Sequence, residues 1–120
     1  MNTNENNRYH FHTVEPKWRH YWQESNLYRT GNDPEKPDFY ILDYFPYPSG
    51  DGLSIGHGRN YVPTCVSARF HRMRGYNVLH PMGWDAFGLP AENYAVKHHI
   101  HPRESTKLFC DTYKRQMKLL

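Results

Sequence analysis

Cysteines are few in this sequence. Of 120 residues, two are cysteine. Cys65 and Cys110 stand far apart and neither belongs to a Cys-x-x-Cys pair, so no thiolate zinc site is signalled. Both fall in stretches of helical spacing and read as reduced packing residues, not a disulfide. Long apolar runs are absent as well. None approaches the roughly 20 residues that span a bilayer. The opening Met1-Asn-Thr-Asn-Glu-Asn-Asn7 has neither the apolar centre of a secretory signal nor the arginines of a transit peptide. A cytoplasmic protein without membrane contact is the expectation. Charge is nearly balanced, 15 Lys and Arg against 12 Asp and Glu for a net +3. That excess is too weak to argue for nucleic acid by itself. Hydrophobic content is 38%, below the usual share for a soluble domain. The length allows one small domain or part of a larger one. Ten Tyr and three Trp carry much of the apolar area, and their polar atoms need partners. A dense independent core is not expected.

What the sequence does contain is concentrated between Phe39 and Asn60. The run Phe39 to Phe45 reads as a buried strand. Pro46, Pro48, Gly50 and Gly52 end it in a turn. Ser54-Ile-Gly-His57 follows, and then a segment of helical spacing. Strand, Gly-rich turn and helix is the order that aims backbone N–H groups at an anion. Gly56 leaves room for a ligand near the backbone, and His57 can donate a hydrogen bond to phosphate.

Around that stretch, residues 1–12 are Asn-rich and without periodicity, and read as a disordered tail. Residues 13–120 form the expected ordered domain. Thr13 can cap a helix with Pro16 in its first turn, carrying Val14, Trp18, Tyr21, Trp22 and Ser25 on a packing face and ending near Asn26. Gly31 to Pro37 is a connector. Residues 58–74 read as a helix with Val62, Val66, Phe70 and Met73 along one face. Pro63 lacks an N–H and crowds the carbonyl of Arg59, so regular helix is expected to begin near Tyr61 or Val62, or to kink at Pro63. Gly75 suits the left-handed residue after a helix. Tyr76 to His80 reads as a second strand, making a parallel crossover with the first. Residues 81–90 form a loop at that strand's C-terminal end, where open α/β sheets place ligands. Ala91 to about His99 is a short helix. His98-His99-Ile-His101 does not match a metal-binding pair, and no metal is expected there. A last helix starts at Pro102 or Ser105 with Phe109, Tyr113, Met117 and Leu120 on one face. Lys114, Arg115 and Lys118 read as its solvated side. An apolar stripe with no stop signal suggests a cut after Leu120.

Four pieces together resemble the leucyl-tRNA synthetases, which are class I aminoacyl-tRNA synthetases. They are Phe45-Pro-Tyr-Pro-Ser-Gly50, Gly56-His57, Arg72-Met-Arg-Gly-Tyr-Asn-Val-Leu79 and Pro81-Met-Gly-Trp-Asp-Ala-Phe-Gly-Leu-Pro-Ala-Glu92. The resemblance implies an α/β fold, the first part of a Rossmann-like nucleotide-binding domain with a short parallel sheet and flanking helices. It implies ATP-dependent activation of leucine to leucyl-adenylate and transfer to tRNA, with magnesium accompanying ATP. Phe45, Tyr47 and Asp85 would bind leucine, the Phe45 carbonyl and the Asp85 carboxylate taking the ammonium group. Pro46, Gly56, His57 and Gly58 would bind ATP, His57 stabilising charge on phosphate. Glu92 would support the loop or its helix.

The sequence also departs from the family. The signature His-x-Gly-His appears as Ser54-Ile-Gly-His57, with Ser54 in the first catalytic position. Loss of a donor there costs roughly 3 kcal/mol by analogy with oxyanion-hole deletions, and Ser54→His is expected to raise adenylate formation. The Lys-Met-Ser-Lys-Ser loop, the editing insertion and the anticodon-binding helices are not in this sequence. Contact with tRNA would come from such regions, as part of a longer chain or a separate polypeptide. Two readings therefore stand: a leucine--tRNA ligase fragment, and a non-catalytic synthetase-like module that binds ATP, leucine or a protein. A small nucleotidyltransferase would not account for the Trp84 to Glu92 loop.

Overall fold

The apolar run after Pro37 becomes a strand only where it finds a partner. In the computed structural model, which describes residues 8–50 and 52–120, β1 is Asp38–Tyr40 and β2 is Asn77–Leu79. They pair in parallel with Asp38 opposite Asn77, Phe39 opposite Val78 and Tyr40 opposite Leu79. The Asn77 N–H donates to the Pro37 carbonyl at 2.9 Å and the Ile41 N–H to Leu79 at 3.1 Å. Past Ile41 the ladder stops and the chain runs irregularly to Gly50. The expected strand from 39 to 45 is therefore shorter, because β2 ends just before Pro81 and offers nothing further to pair with.

The connection between these strands is α2, Ile55–Met73. It starts well before the expected Tyr61 and runs as unbroken α-helix through Pro63, which overturns the expected late start. Ser54 caps it strongly at one end, and Pro63 removes only the single bond to the Arg59 carbonyl, on an exposed part of the helix. The face that meets the sheet also differs from the expected one. Tyr61 and Ala68 are buried, whereas Val62, Val66, Phe70 and Met73 are exposed, Met73 at 81%. A stripe that reads as core-facing by period lies on the outside of the sheet–helix layer. Gly75 takes the left-handed conformation expected after the helix, with φ of 89°.

Helix α1 spans Phe11–Glu24, three residues earlier than a Thr13 cap would give, with His10 at the cap position and no side-chain cap bond. The expected tail therefore ends sooner; residues 1–7 lie outside the described residues. None of α1 is buried. Of its aromatic stripe, Trp22 turns inward, with its ring 5.7 Å from that of Tyr28 and the Arg69 guanidinium 4.7 Å above it. Trp18 and Tyr21 stay exposed, short of the packing face expected.

Helices α3 (Leu89–His98) and α4 (Pro102–Met117) pack together, with Ala91, Ala95, Ser105 and Phe109 buried. Tyr94 sits edge-on to Phe109, with centroids 4.8 Å apart. His98 stacks on Tyr94, His99 supplies the left-handed turn at φ 54°, and the His101 ring accepts from the Arg103 N–H to cap α4. Each of these histidines has a local structural task. Cys65 and Cys110 are free thiols. The molecule is a slab of 59 × 52 × 25 Å with a radius of gyration of 18.5 Å, against about 14 Å for a compact domain of this length. No described helix is long and apolar enough to cross a membrane.

Candidate functional site

The start of α2 organises the site. Ser54 is extended there, and its hydroxyl oxygen accepts from the His57 N–H at 3.4 Å. In return the His57 ring reaches back, and Nδ1 accepts from the Ser54 N–H at 2.9 Å. This is a capping box in which imidazole takes the place that Glu or Gln usually fills. Three tyrosine rings surround His57: Tyr61 at 5.7 Å, Tyr113 at 6.0 Å and Tyr44 at 6.3 Å between centroids. The Tyr61 hydroxyl donates to the Tyr44 carbonyl at 3.2 Å. Burial pushes that hydroxyl up to about 12, and nearby Tyr44 and Asp43 push the same way. The imidazole itself is half-buried, and Ser54, Ile55 and Gly56 are exposed beside it.

Two glycines border this edge. A methyl group at Gly58 would meet nothing within 4 Å, and one at Gly56 would meet only the Ser54 hydroxyl, at 3.4 Å. Neither takes a positive φ, so both contribute space and not an unusual backbone.

The second signature stretch is tied to the first through the backbone. The Asp85 N–H donates to the Pro46 carbonyl at 3.1 Å, which seats the loop 81–88 against Phe45, Pro46 and Tyr47. Gly83 makes the approach possible: a Cβ there would lie 2.9 Å from the Phe45 ring. Pro46 and Pro48 are fully buried beneath, while Phe45 and Tyr47 are exposed at 38% and 52%. The Asp85 side chain is exposed and makes no hydrogen bond or ion pair among the described residues. Trp84 packs edge-on to Tyr113 at 6.0 Å, so Tyr113 touches both halves of the site. All the sequence-expected residues, Phe45, Pro46, Tyr47, Ser54, Gly56, His57, Gly58 and Asp85, thus gather on the C-terminal side of the two strands. Glu92 lies in the first turn of α3, where a carboxylate complements the helix dipole.

Three contributors escape a reading of the sequence. Asp43 is 5% exposed, and its Oδ2 accepts from Thr64 at 2.7 Å and from His80 Nε2 at 2.9 Å. One carboxylate therefore ties the segment after β1 to the middle of α2 and the end of β2, just before both site stretches. An acid inside an apolar run was its only signal. Tyr113 read as one member of a packing face. Gln116, whose Oε1 accepts from the Leu53 N–H at 2.7 Å and whose amide fills the space beside Gly52, carried no signal. A large concave space of about 1470 Å³ lies elsewhere, between α1 and the end of α4, and includes none of the expected residues. The convergence of polar groups, not concavity, marks the site.

A parallel sheet with a capped helix presenting His57, faced by a Gly- and Pro-punctuated loop presenting Asp85, is the arrangement of a nucleotide-binding α/β enzyme domain. The family described as tRNA synthetases class I (M) matches residues 39–120, and the chain belongs to it. Within that class the similarity is to leucine enzymes. A leucine--tRNA ligase of Leptospira biflexa is 54% identical over 112 residues, covering 93% of this chain and 13% of the relative. One from Chlorobium phaeovibrioides is 50% identical over 113 residues, covering 94% and 14%. The ternary complex of Agrobacterium radiobacter K84 agnB2 LeuRS with tRNA and LeuAMS is 43% identical and superposes with a TM-score of 0.85, covering 92% of this chain and 14% of that one. The chain spans about one seventh of the length of these relatives.

Proposed function

We propose that this chain supplies the leucine- and ATP-facing wall of a leucine--tRNA ligase active site. The observation that carries the proposal is the clamp between the Asp85 N–H and the Pro46 carbonyl, which sets a free carboxylate beside Phe45 and Tyr47 on the same side of the sheet as His57. Asp85 and the Phe45 carbonyl take the leucine ammonium group, and Tyr47 walls its side chain. The leucine carboxylate attacks the α-phosphorus of ATP, and pyrophosphate leaves. His57, bordered by the open edges of Gly56 and Gly58, donates to the phosphate as charge develops on it. Pro46 borders the nucleotide. Magnesium accompanies the ATP phosphates. Transfer of leucine to tRNA, in the cytoplasm, draws on regions beyond this chain, joined to it or carried by a partner polypeptide.

The test combines the chain with the remaining segment of a leucine--tRNA ligase and measures leucine-dependent ATP–pyrophosphate exchange. Exchange that needs both parts is expected. Asp85→Asn should weaken leucine binding at least tenfold, the scale of one charge-assisted bond, and leave ATP binding within a factor of two. Equal loss of both ligands would count against the assignment of Asp85. A second reading, a non-catalytic module, is favoured by Ser54 in place of the signature histidine. It predicts ATP or leucine binding with no exchange under any complementation.

A further inference from the structure

We propose that the backbone N–H at Ser54 positions His57: it locks the imidazole with Nδ1 unprotonated, so that Nε2–H is the ring's remaining donor. The inference rests, for its functional meaning, on the nucleotide site proposed above. The lock itself rests on geometry alone.

A backbone N–H can only donate. Because the Ser54 N–H points at Nδ1 from 2.9 Å, that nitrogen must hold its lone pair and carry no proton. The Ser54 hydroxyl stands 2.9 Å from the same nitrogen while its oxygen accepts from the His57 N–H. A proton on Nδ1 would face one donor that cannot turn away. In the neutral ring the hydrogen therefore lies on Nε2. The rings of Tyr44, Tyr61 and Tyr113 pack about the imidazole and oppose a flip that would exchange the two nitrogens. A capping box needs only an acceptor at this position, and a carboxylate would serve. Imidazole differs in having a second nitrogen, and the lock determines that this nitrogen is a hydrogen donor. Residue 54 then acts through His57 by its backbone.

The readout is the tautomer, by long-range 1H–15N correlation on the labelled 120-residue chain at alkaline pH, where imidazoles are neutral. The wild-type ring of His57 should show a single Nε2–H tautomer. Ser54→Pro, which removes that N–H at a backbone φ of −86° near proline's own, should give a mixture of tautomers, and Ser54→Ala, which keeps the N–H, should retain the single form. ATP titration of the same samples should show about tenfold weaker binding for His57→Ala, the scale of one charge-assisted hydrogen bond. The loss should be smaller for Ser54→Pro. A wild-type ring protonated on Nδ1 would overturn the proposal without recourse to any variant. So would a Ser54→Pro variant that keeps the wild-type tautomer, since the N–H at residue 54 would then not set it. A clean lock with no ATP binding in the wild type would instead remove the nucleotide reading and leave the lock standing.

Discussion

Asp43 shows how much one side chain can hold together. Its carboxylate is nearly inaccessible and is satisfied by Thr64 and His80. Removing one partner of such a buried pair leaves the other uncompensated. Asp43→Ala should lower the free energy of unfolding by about 3 kcal/mol, and Thr64→Val by about 1 kcal/mol, both measured by urea denaturation. A loss near zero for Asp43→Ala would mean that the carboxylate is solvated. Tyr61 gives a pH dependence with a definite sign. Its hydroxyl is raised from 10.0 to about 12, mainly by burial, so the folded state holds that proton more tightly than the unfolded chain does. Its contribution is complete below pH 10 and is lost as pH rises from 10 to about 12, because the unfolded chain ionises first. Unfolding followed across that window should show stability falling, and Tyr61→Phe should flatten the fall. At this scale the sequence singled out Phe45, Tyr47, His57 and Asp85 as candidates by their place in recognisable strings. It was silent on Asp43 and Gln116, whose roles depend on partners far along the chain.

Helix α2 carries the clearest difference between local rules and the folded chain. Proline in a helix interior argues for a break, yet Pro63 lies well inside Ile55–Met73. The cap at Ser54 and the burial of Tyr61 and Ala68 fix the helix on either side of it. The strain should nonetheless be measurable. Pro63→Ala restores a donor to the Arg59 carbonyl, and should stabilise the chain by about 2 kcal/mol once the entropy lost by the unfolded proline chain is set against it. No gain in Tm would mean that this carbonyl has found another donor. Period alone also misassigned the buried face. Val62, Val66, Phe70 and Met73 recur at helical spacing, but the opposite side, through Tyr61, Thr64 and Ala68, meets β2 and Asp43. Two apolar faces on one helix give a periodic signal that cannot say which of them the sheet will cover.

Seen whole, the described chain is too open for its length. Two strands leave both sheet edges unpaired, and α1 buries nothing. Exposed strand edges and apolar stripes favour association with another surface. Val66→Lys with Met73→Lys should therefore weaken self-association in sedimentation velocity, and change unfolding stability by less than about 0.5 kcal/mol per site, as expected of exposed positions. A large loss of stability would mean that the stripe is covered within the monomer.

The sequence by itself determined the α/β class and the order of its elements, because turn residues, caps and hydrophobic period act over a few neighbouring positions. It also determined the departure at Ser54. Tertiary structure decided where each strand stopped, since a strand lasts only as long as its partner, and which face of α2 was buried. It decided too that Tyr113 bridges the two site stretches and that Asp43 joins α2 to the ends of both strands. Those outcomes depend on contacts between residues distant in the chain, and a local pattern carries no record of them.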